Sequence, residues 1–208
     1  MNQLIGIIGK KGHGKSALAD ALATITEGYT TEIAFAGPLK EAARIIFRLN
    51  DEQLHGELKE KKDLHWNKTP RELLQLLDTE VGRAIDPEVW IKSALYRAEA
   101  AWEADPDTIV VVTDVRFENE AAFILARGGL LVRVERPDPQ ICMFEAHFSE
   151  IEMEMEKIVT HLTVVNDGSL KALESAAEWV EEWLSRQLSS GIDENRFVCS
   201  AMESELED

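Results

Sequence analysis

Gly9-Lys10-Lys11-Gly12-His13-Gly14-Lys15-Ser16 is the stretch on which the reading of this chain turns. It fits G-x-x-x-x-G-K-[ST], the pattern of a loop whose backbone cradles phosphate. Leu4-Ile5-Gly6-Ile7-Ile8 before it has the apolar content of a buried strand, and Ala17-Leu18-Ala19-Asp20-Ala21-Leu22-Ala23 after it is a helix former. A helix that begins at such a loop offers unpaired N–H groups and the positive end of its dipole to an anion. Gly9, Gly12 and Gly14 let the backbone wrap closely, with N–H groups turned inward. Lys15 is placed to meet the β and γ phosphates of a nucleotide, and Ser16 to offer a hydroxyl to Mg2+, which takes oxygen ligands. Lys10, Lys11 and His13 are not fixed by the pattern. They read as solvated residues of the loop tip before any catalytic role, and His13 is counted with Gly9, Gly12, Gly14, Lys15 and Ser16 as a nucleotide-binding candidate.

Outward from the loop, strands and helices alternate. Thr30–Phe35 is expected as a short strand, and Gly37-Pro38 opens a helix over Leu39–Arg48. Asn50–Lys68 is polar and charge-rich, expected as loop with a short helix. Thr69-Pro70-Arg71-Glu72 combines an N-cap threonine, a proline at the first helical position and a glutamate three residues after the cap. Leu73, Leu74, Leu76, Leu77, Val81 and Ile85 carry that helix onward, and Asp86-Pro87 opens the next. Thr108–Thr113 is a β-branched run suited to a strand buried on both faces. Phe117–Arg127 is expected as a helix ended by Gly128-Gly129, Leu130–Glu135 and Leu162–Val165 as strands, and Ser169 as the cap of a helix running to about Leu188. The alternation predicts a three-layer α/β fold of the P-loop NTPase type, a parallel sheet with helices on both faces.

The chain has 208 residues, enough for one domain with a sizeable core. Its 22 basic and 39 acidic residues leave a net charge of −17, which argues against broad contact with a nucleic-acid backbone. An anionic ligand must therefore be met by local clusters of Lys and Arg. No apolar run is long enough for a membrane span, and the first residues lack the basic start and cleavage site of a signal peptide. Cys142 and Cys199 form neither a disulfide framework nor a metal spacing, which favours a reducing, cytoplasmic setting. Asp193, Glu194, Glu203, Glu205, Glu207 and Asp208 make residues 189–208 an acidic, solvated tail.

A second chemical position follows the strand Thr108–Thr113. Asp114 stands at its carboxyl end, where ligands bind in open α/β sheets, and resembles a Walker B acid for Mg2+. Arg116 lies two residues on, close enough to serve a phosphate. Arg133 and Arg136 flank the end of the next strand, and Pro137-Asp138-Pro139 then opens an irregular stretch. Residues 136–157 have the look of a lid bringing cations to a transferring phosphoryl group. Phosphoryl transfer rests on positioning and charge neutralisation, which suits the bidentate arginine fork. The alternation Ile151–Glu156 reads equally as strand or acidic helix.

Six segments, taken in order, carry a resemblance. They are Gly9–Ser16; Phe35-Ala36-Gly37-Pro38-Leu39-Lys40; Thr69–Leu77 with Thr79-Glu80-Val81-Gly82-Arg83; Pro87-Glu88-Val89-Trp90; Asp114-Val115-Arg116-Phe117-Glu118-Asn119-Glu120; and His147-Phe148-Ser149-Glu150. Together they resemble the phage-type deoxynucleoside monophosphate kinases, a P-loop family. The resemblance implies transfer of the ATP γ-phosphoryl group to a deoxynucleoside monophosphate with Mg2+, in the host cytoplasm if the chain is phage-encoded. It implies Lys15 and Ser16 on the ATP side, and Lys40 and Arg71 on the acceptor phosphate. Gln75, one helical turn after Arg71, could read a base edge, and Trp90 could stack on a base or belong to the core. Residue 78 is aspartate where the family pattern has glycine.

The expected layout is a kinase domain over 1–188, with a monophosphate-binding helical region at about 38–104 and the lid at about 136–157. Apolar helix faces leave room for a homodimer. Two other readings share the loop: a kinase of another small molecule, resembling dephospho-coenzyme A kinase, and a nucleotide-binding switch without transfer chemistry. Asn67-Lys68-Thr69-Pro70 lacks the aspartate of a guanine-reading Asn-Lys-x-Asp.

Overall fold

A computed structural model of the chain describes residues 3–137 and 155–190. They fall into two compact units, one of Met1–Glu32 with Ala104–Asp208 and the other of Ile33–Glu103. The segment His147–Glu150, the interior of the expected lid and the acidic tail lie outside the described residues.

The first unit is built on a five-stranded sheet of order β2-β3-β1-β4-β5. The strands are β1 (Gln3–Ile8), β2 (Thr30–Ile33), β3 (Ile109–Val115), β4 (Leu130–Glu135) and β5 (Leu162–Val165). β1 pairs in parallel with β3 and β4, and β4 with β5. Central strands covered on both faces must be apolar throughout, which accounts for Leu4-Ile5-Gly6-Ile7-Ile8 and Ile109-Val110-Val111-Val112. On one face Ile5, Ile7, Val111, Val132 and Val134 pack with Leu18 and Leu22 of α1 (Lys15–Ile25) and Leu173, Ala177 and Val180 of the long C-terminal helix (Leu170–Ser190). Leu22 is fully buried there, so truncation to alanine costs about 2–5 kcal/mol. On the other face a Cβ at Gly6 would lie 2.5 Å from Ile124 of the helix Glu118–Leu125, so glycine is what lets that helix close on β1. Helices thus cover both faces, the layering expected of a P-loop α/β fold.

The second unit is helical. α2 (Gly37–Phe47), α3 (Asp51–Leu54) and α4 (Pro70–Gln75) gather Leu39, Ala43, Leu49, Leu54, Leu73 and Leu74 into a small core, with Phe47, Leu77 and Trp90 at its border. The capping box forms as the sequence predicts. Thr69 Oγ1 accepts the Glu72 N–H at 3.1 Å, and the Thr69 N–H donates to the Glu72 carboxylate at 2.6 Å, an arrangement worth about 1 kcal/mol. α5 spans Val89–Ala104.

One expectation changes. The helix begun at Pro70 does not run on as α-helix to Ile85; Leu76–Arg83 is a π-helix, with its backbone bonds widened to five residues. Asp78, Gly82 and Arg83 all lie in this segment, and Asp78 and Gly82 both engage Trp90, a tertiary tie that hydrophobic periodicity does not encode. β2 also stops at Ile33, because Gly37 N–H bonds back to Ala34 O at 3.0 Å and turns the chain into α2.

Candidate active site

The loop after β1 enters α1 through Gly14, which sits at the N-cap with φ 102°. That left-handed conformation favours glycine. No side chain caps α1 and its first turn holds no acid, so the N–H groups of that turn keep their capacity for an anion. A Cβ on Gly9 would lie 2.5 Å from Val134 O, so the loop can only cross β4 with glycine there.

Lys15 Nζ donates to Gly9 O at 2.8 Å and to Lys10 O at 2.9 Å, folded back over the loop's own carbonyls. Burial holds its pKa below the ordinary lysine value, the Arg116 charge lowers it further, and the Asp114 carboxylate works against both. Lys15, Asp114 and Arg116 are therefore electrostatically coupled, from two separate strand ends. The register of β3 against β1 shifts beside Asp114. Gly6 pairs with Val112 but Ile8 with Val115, so Thr113-Asp114 carries one extra residue. Bulges re-aim side chains beside functional sites, and this one falls on Asp114, which is half-buried. Immediately after it, the Arg116 and Phe117 N–H groups donate to the buried Glu120 carboxylate at 2.8 and 3.2 Å, fixing the exit from β3. Thr113 Oγ1 donates to Glu32 at 2.8 Å, tying β3 to β2. Ser16 is exposed in the first turn of α1.

His13 differs from the solvated tip residue the sequence suggests. Its Nδ1 lies 3.2 Å from Val134 O and 3.3 Å from the Arg136 N–H, and one tautomer can serve only one of these at a time. Arg136 itself is exposed. Arg133 is buried instead of facing a ligand: Nη2 donates to Met155 O and to Ile158 O, both at 2.8 Å. Its guanidinium is committed to the carbonyls around the helical turn 155–157. Asn166, which follows β5 and which the sequence reading did not single out, is buried against the loop and donates from Nδ2 to His13 O at 2.8 Å.

Of the acceptor candidates, Lys40 Nζ lies 3.4 Å from His55 Nδ1 on the first turn of α2. Arg71 is exposed on the first turn of α4 and paired with Glu60, whose carboxylate raises its pKa. Gln75 is exposed at the end of α4. Trp90 is half-buried, with its indole N–H donated to Asp78 at 2.5 Å, and Arg83 Nε donates to the same oxygen at 2.9 Å. The aspartate noted as a departure in the sequence thus occupies the centre of a three-residue group.

A parallel sheet with a phosphate loop at the end of its central strand, and an acid at the end of the neighbouring one, defines a P-loop nucleotide-binding enzyme. The family model for deoxynucleotide monophosphate kinase matches residues 50–177. The chain is 36% identical over 179 residues to a protein of Acanthamoeba polyphaga mimivirus whose name assigns it, provisionally, to deoxynucleotide monophosphate kinases; the match covers 81% of this chain and 90% of that one. It is 32% identical over 126 residues to the deoxynucleoside-5'-monophosphate kinase of Escherichia phage T5, covering 58% of this chain and 49% of that protein, about half its length. The chain belongs to the deoxynucleotide monophosphate kinase family.

Among solved structures, it is similar to dephospho-CoA kinase from Campylobacter jejuni (TM-score 0.48, 13% identity, 90% of this chain and 98% of that one). It is also similar to shikimate kinase from Aquifex aeolicus (TM-score 0.45, 16% identity, 90% and 99%). The sheet order and the loop, not these neighbours, define the fold. Among the described residues no helix is long and apolar enough to cross a membrane.

Proposed function

We propose that this kinase transfers the γ-phosphoryl group of ATP to a deoxynucleoside monophosphate, giving ADP and the deoxynucleoside diphosphate. The observation that carries the reading is the phosphate loop itself, with Gly14 at the N-cap of α1, no side chain capping that helix and Lys15 folded over the loop, in a chain of this family. On ATP binding the ammonium of Lys15 exchanges the Gly9 and Lys10 carbonyls for β- and γ-phosphate oxygens. N–H groups of the loop and of the first turn of α1 hold the β-phosphate. Arg116 meets charge on the transferring group, and Arg136 is the second candidate for that task.

The Ser16 hydroxyl and the Asp114 carboxylate are hard oxygen donors of the kind Mg2+ takes, and they would hold it. When bound, the ion would supply neutralisation of the phosphate charge that develops during transfer. The acceptor monophosphate is already anionic at neutral pH, so no general base is required and Asp114 need not take a proton.

Lys40, Arg71, Gln75 and Trp90, all of the helical unit, are assigned to the acceptor. Arg71 then exchanges Glu60 for phosphate, a swap of one anion for another on an exposed bidentate fork.

The test is ADP release from Mg-ATP, coupled to NADH oxidation, with each deoxynucleoside monophosphate supplied in turn. Turnover of about 1–100 per second that needs an acceptor, and that vanishes in Lys15→Ala, is the expected result. ATP binding without turnover on any monophosphate would overturn it, and dephospho-coenzyme A would be the next acceptor tried.

A further inference from the structure

The turn after β5 reaches the phosphate loop through one side chain, and its geometry is that of a brace. Asn166 is 5% exposed. Its backbone N–H donates to Glu135 O at 2.7 Å, anchoring it to the end of β4. Its Oδ1 accepts the Gly168 N–H at 3.0 Å, which closes the turn. Its Nδ2 donates to His13 O at 2.8 Å. The fit is close: a Cβ on Gly14 would lie 2.4 Å from Nδ2. The side chain of His13 is held independently, by Val134 O or the Arg136 N–H.

A trans peptide is planar, with its C=O and N–H antiparallel. Drawing the His13 carbonyl toward Asn166 therefore turns the Gly14 N–H away from β5, to the other side of that peptide. The Gly14 N–H is one of the loop donors a phosphate needs. With the carbonyl released, no other bond among the described residues would hold this peptide plane, because Gly14 has no side chain and its φ of 102° lies where glycine moves freely.

We propose that Asn166 is a positioning residue for the phosphate loop: it presets the His13–Gly14 peptide for nucleotide, acting through the backbone without touching the ligand. The inference rests on the loop binding nucleotide as proposed above. It concerns ATP affinity alone, whichever acceptor is used.

Asparagine and aspartate separate the two duties of this side chain. Aspartate keeps the oxygen that receives the Gly168 N–H, so the turn survives, but it has no N–H for His13 O and sets a carboxylate against that carbonyl. Titration calorimetry with Mg-ATP on the full chain is expected to give a Kd raised about tenfold or more in both Asn166→Asp and Asn166→Ala. Both variants are expected to melt below the parent, so the titrations are run well below their melting points, where the folded fraction is complete, and the KM for the monophosphate should change less than twofold in both. Unaltered ATP affinity in Asn166→Asp overturns the brace and leaves the kinase reading standing. Loss of ATP affinity only in proportion to lost folding in both variants also overturns it. Failure of the parent chain to bind Mg-ATP overturns the kinase reading, and this inference with it.

Discussion

Lys15 Nζ and Gly9 O are 2.8 Å apart, so the loop neutralises its own ammonium with backbone carbonyls. The lysine is held for function at a cost in stability. Its pKa lies below the ordinary lysine value, chiefly through burial. Below the folded pKa the charge is carried in both states and the desolvation cost is fully present. As pH rises through the folded pKa toward the unfolded one, the unfolded chain binds more protons and the cost is relieved. Lys15→Met is expected to melt higher than the parent at pH 7, with the gap narrowing as pH is raised, while turnover falls at least 10²-fold. Melting curves from pH 7 to 10, read beside the coupled assay, check both halves.

Arg133 is expected to matter for folding more than for turnover. Its replacement by methionine leaves Met155 O and Ile158 O without the Nη2 donor. Each such loss costs about 1–3 kcal/mol, so the pair lowers the melting temperature by roughly 10 °C for a domain of this size. kcat measured well below the new melting point should stay within about threefold. A drop of a hundredfold with the melting temperature unmoved would return Arg133 to the phosphoryl group.

His161 sets an acid limit. Its Nδ1 accepts the Leu131 N–H at 3.0 Å, which a neutral ring can do and a protonated one cannot. Burial lowers its pKa from 6.5. Its contribution to stability is therefore complete above about pH 6.5 and is lost as pH falls from there through the folded value. His55 is shifted the same way by burial and Lys40, so the parent curve alone mixes the two. The difference between parent and His161→Asn isolates one histidine, and it should shrink toward pH 5. Trp183, whose ring lies 6.0 Å from the imidazole, provides a fluorescence signal for the melt.

Asp78→Gly removes the acceptor of both the Trp90 indole N–H and Arg83 Nε. The expected signature is a monophosphate KM raised about three- to tenfold with a changed order of base preference, and an ATP KM within twofold. Tryptophan emission should shift to the red as the indole loses its anchor. Equal changes in both KM values would place the group outside the acceptor's reach.

What the sequence made legible was local. The phosphate loop, the apolar central strands and the capping box at Thr69 each follow from residues within about eight positions of one another, and each stands where the pattern put it. Asp114 was legible as a strand-end acid, but the bulge that re-aims it is a property of β3 against β1. Arg133 looked like a phosphate ligand because a cation at a strand end reads the same whether it meets a ligand or a carbonyl 22 or 25 residues away. Asn166 carried no signal of its role, since its partner is 153 residues distant. The π segment was hidden for the same reason, Asp78 and Gly82 being tied to Trp90 on another helix.

Gly82 shows what that tie imposes on descendants of this chain. A methyl group there would sit 2.5 Å from the Trp90 ring. A larger residue at position 82 therefore requires the Trp90 ring to shift, and a shifted ring carries its indole N–H away from Asp78. Asp78, Gly82 and Trp90 are thus coupled through one indole, whose ring meets Gly82 and whose N–H is held by Asp78.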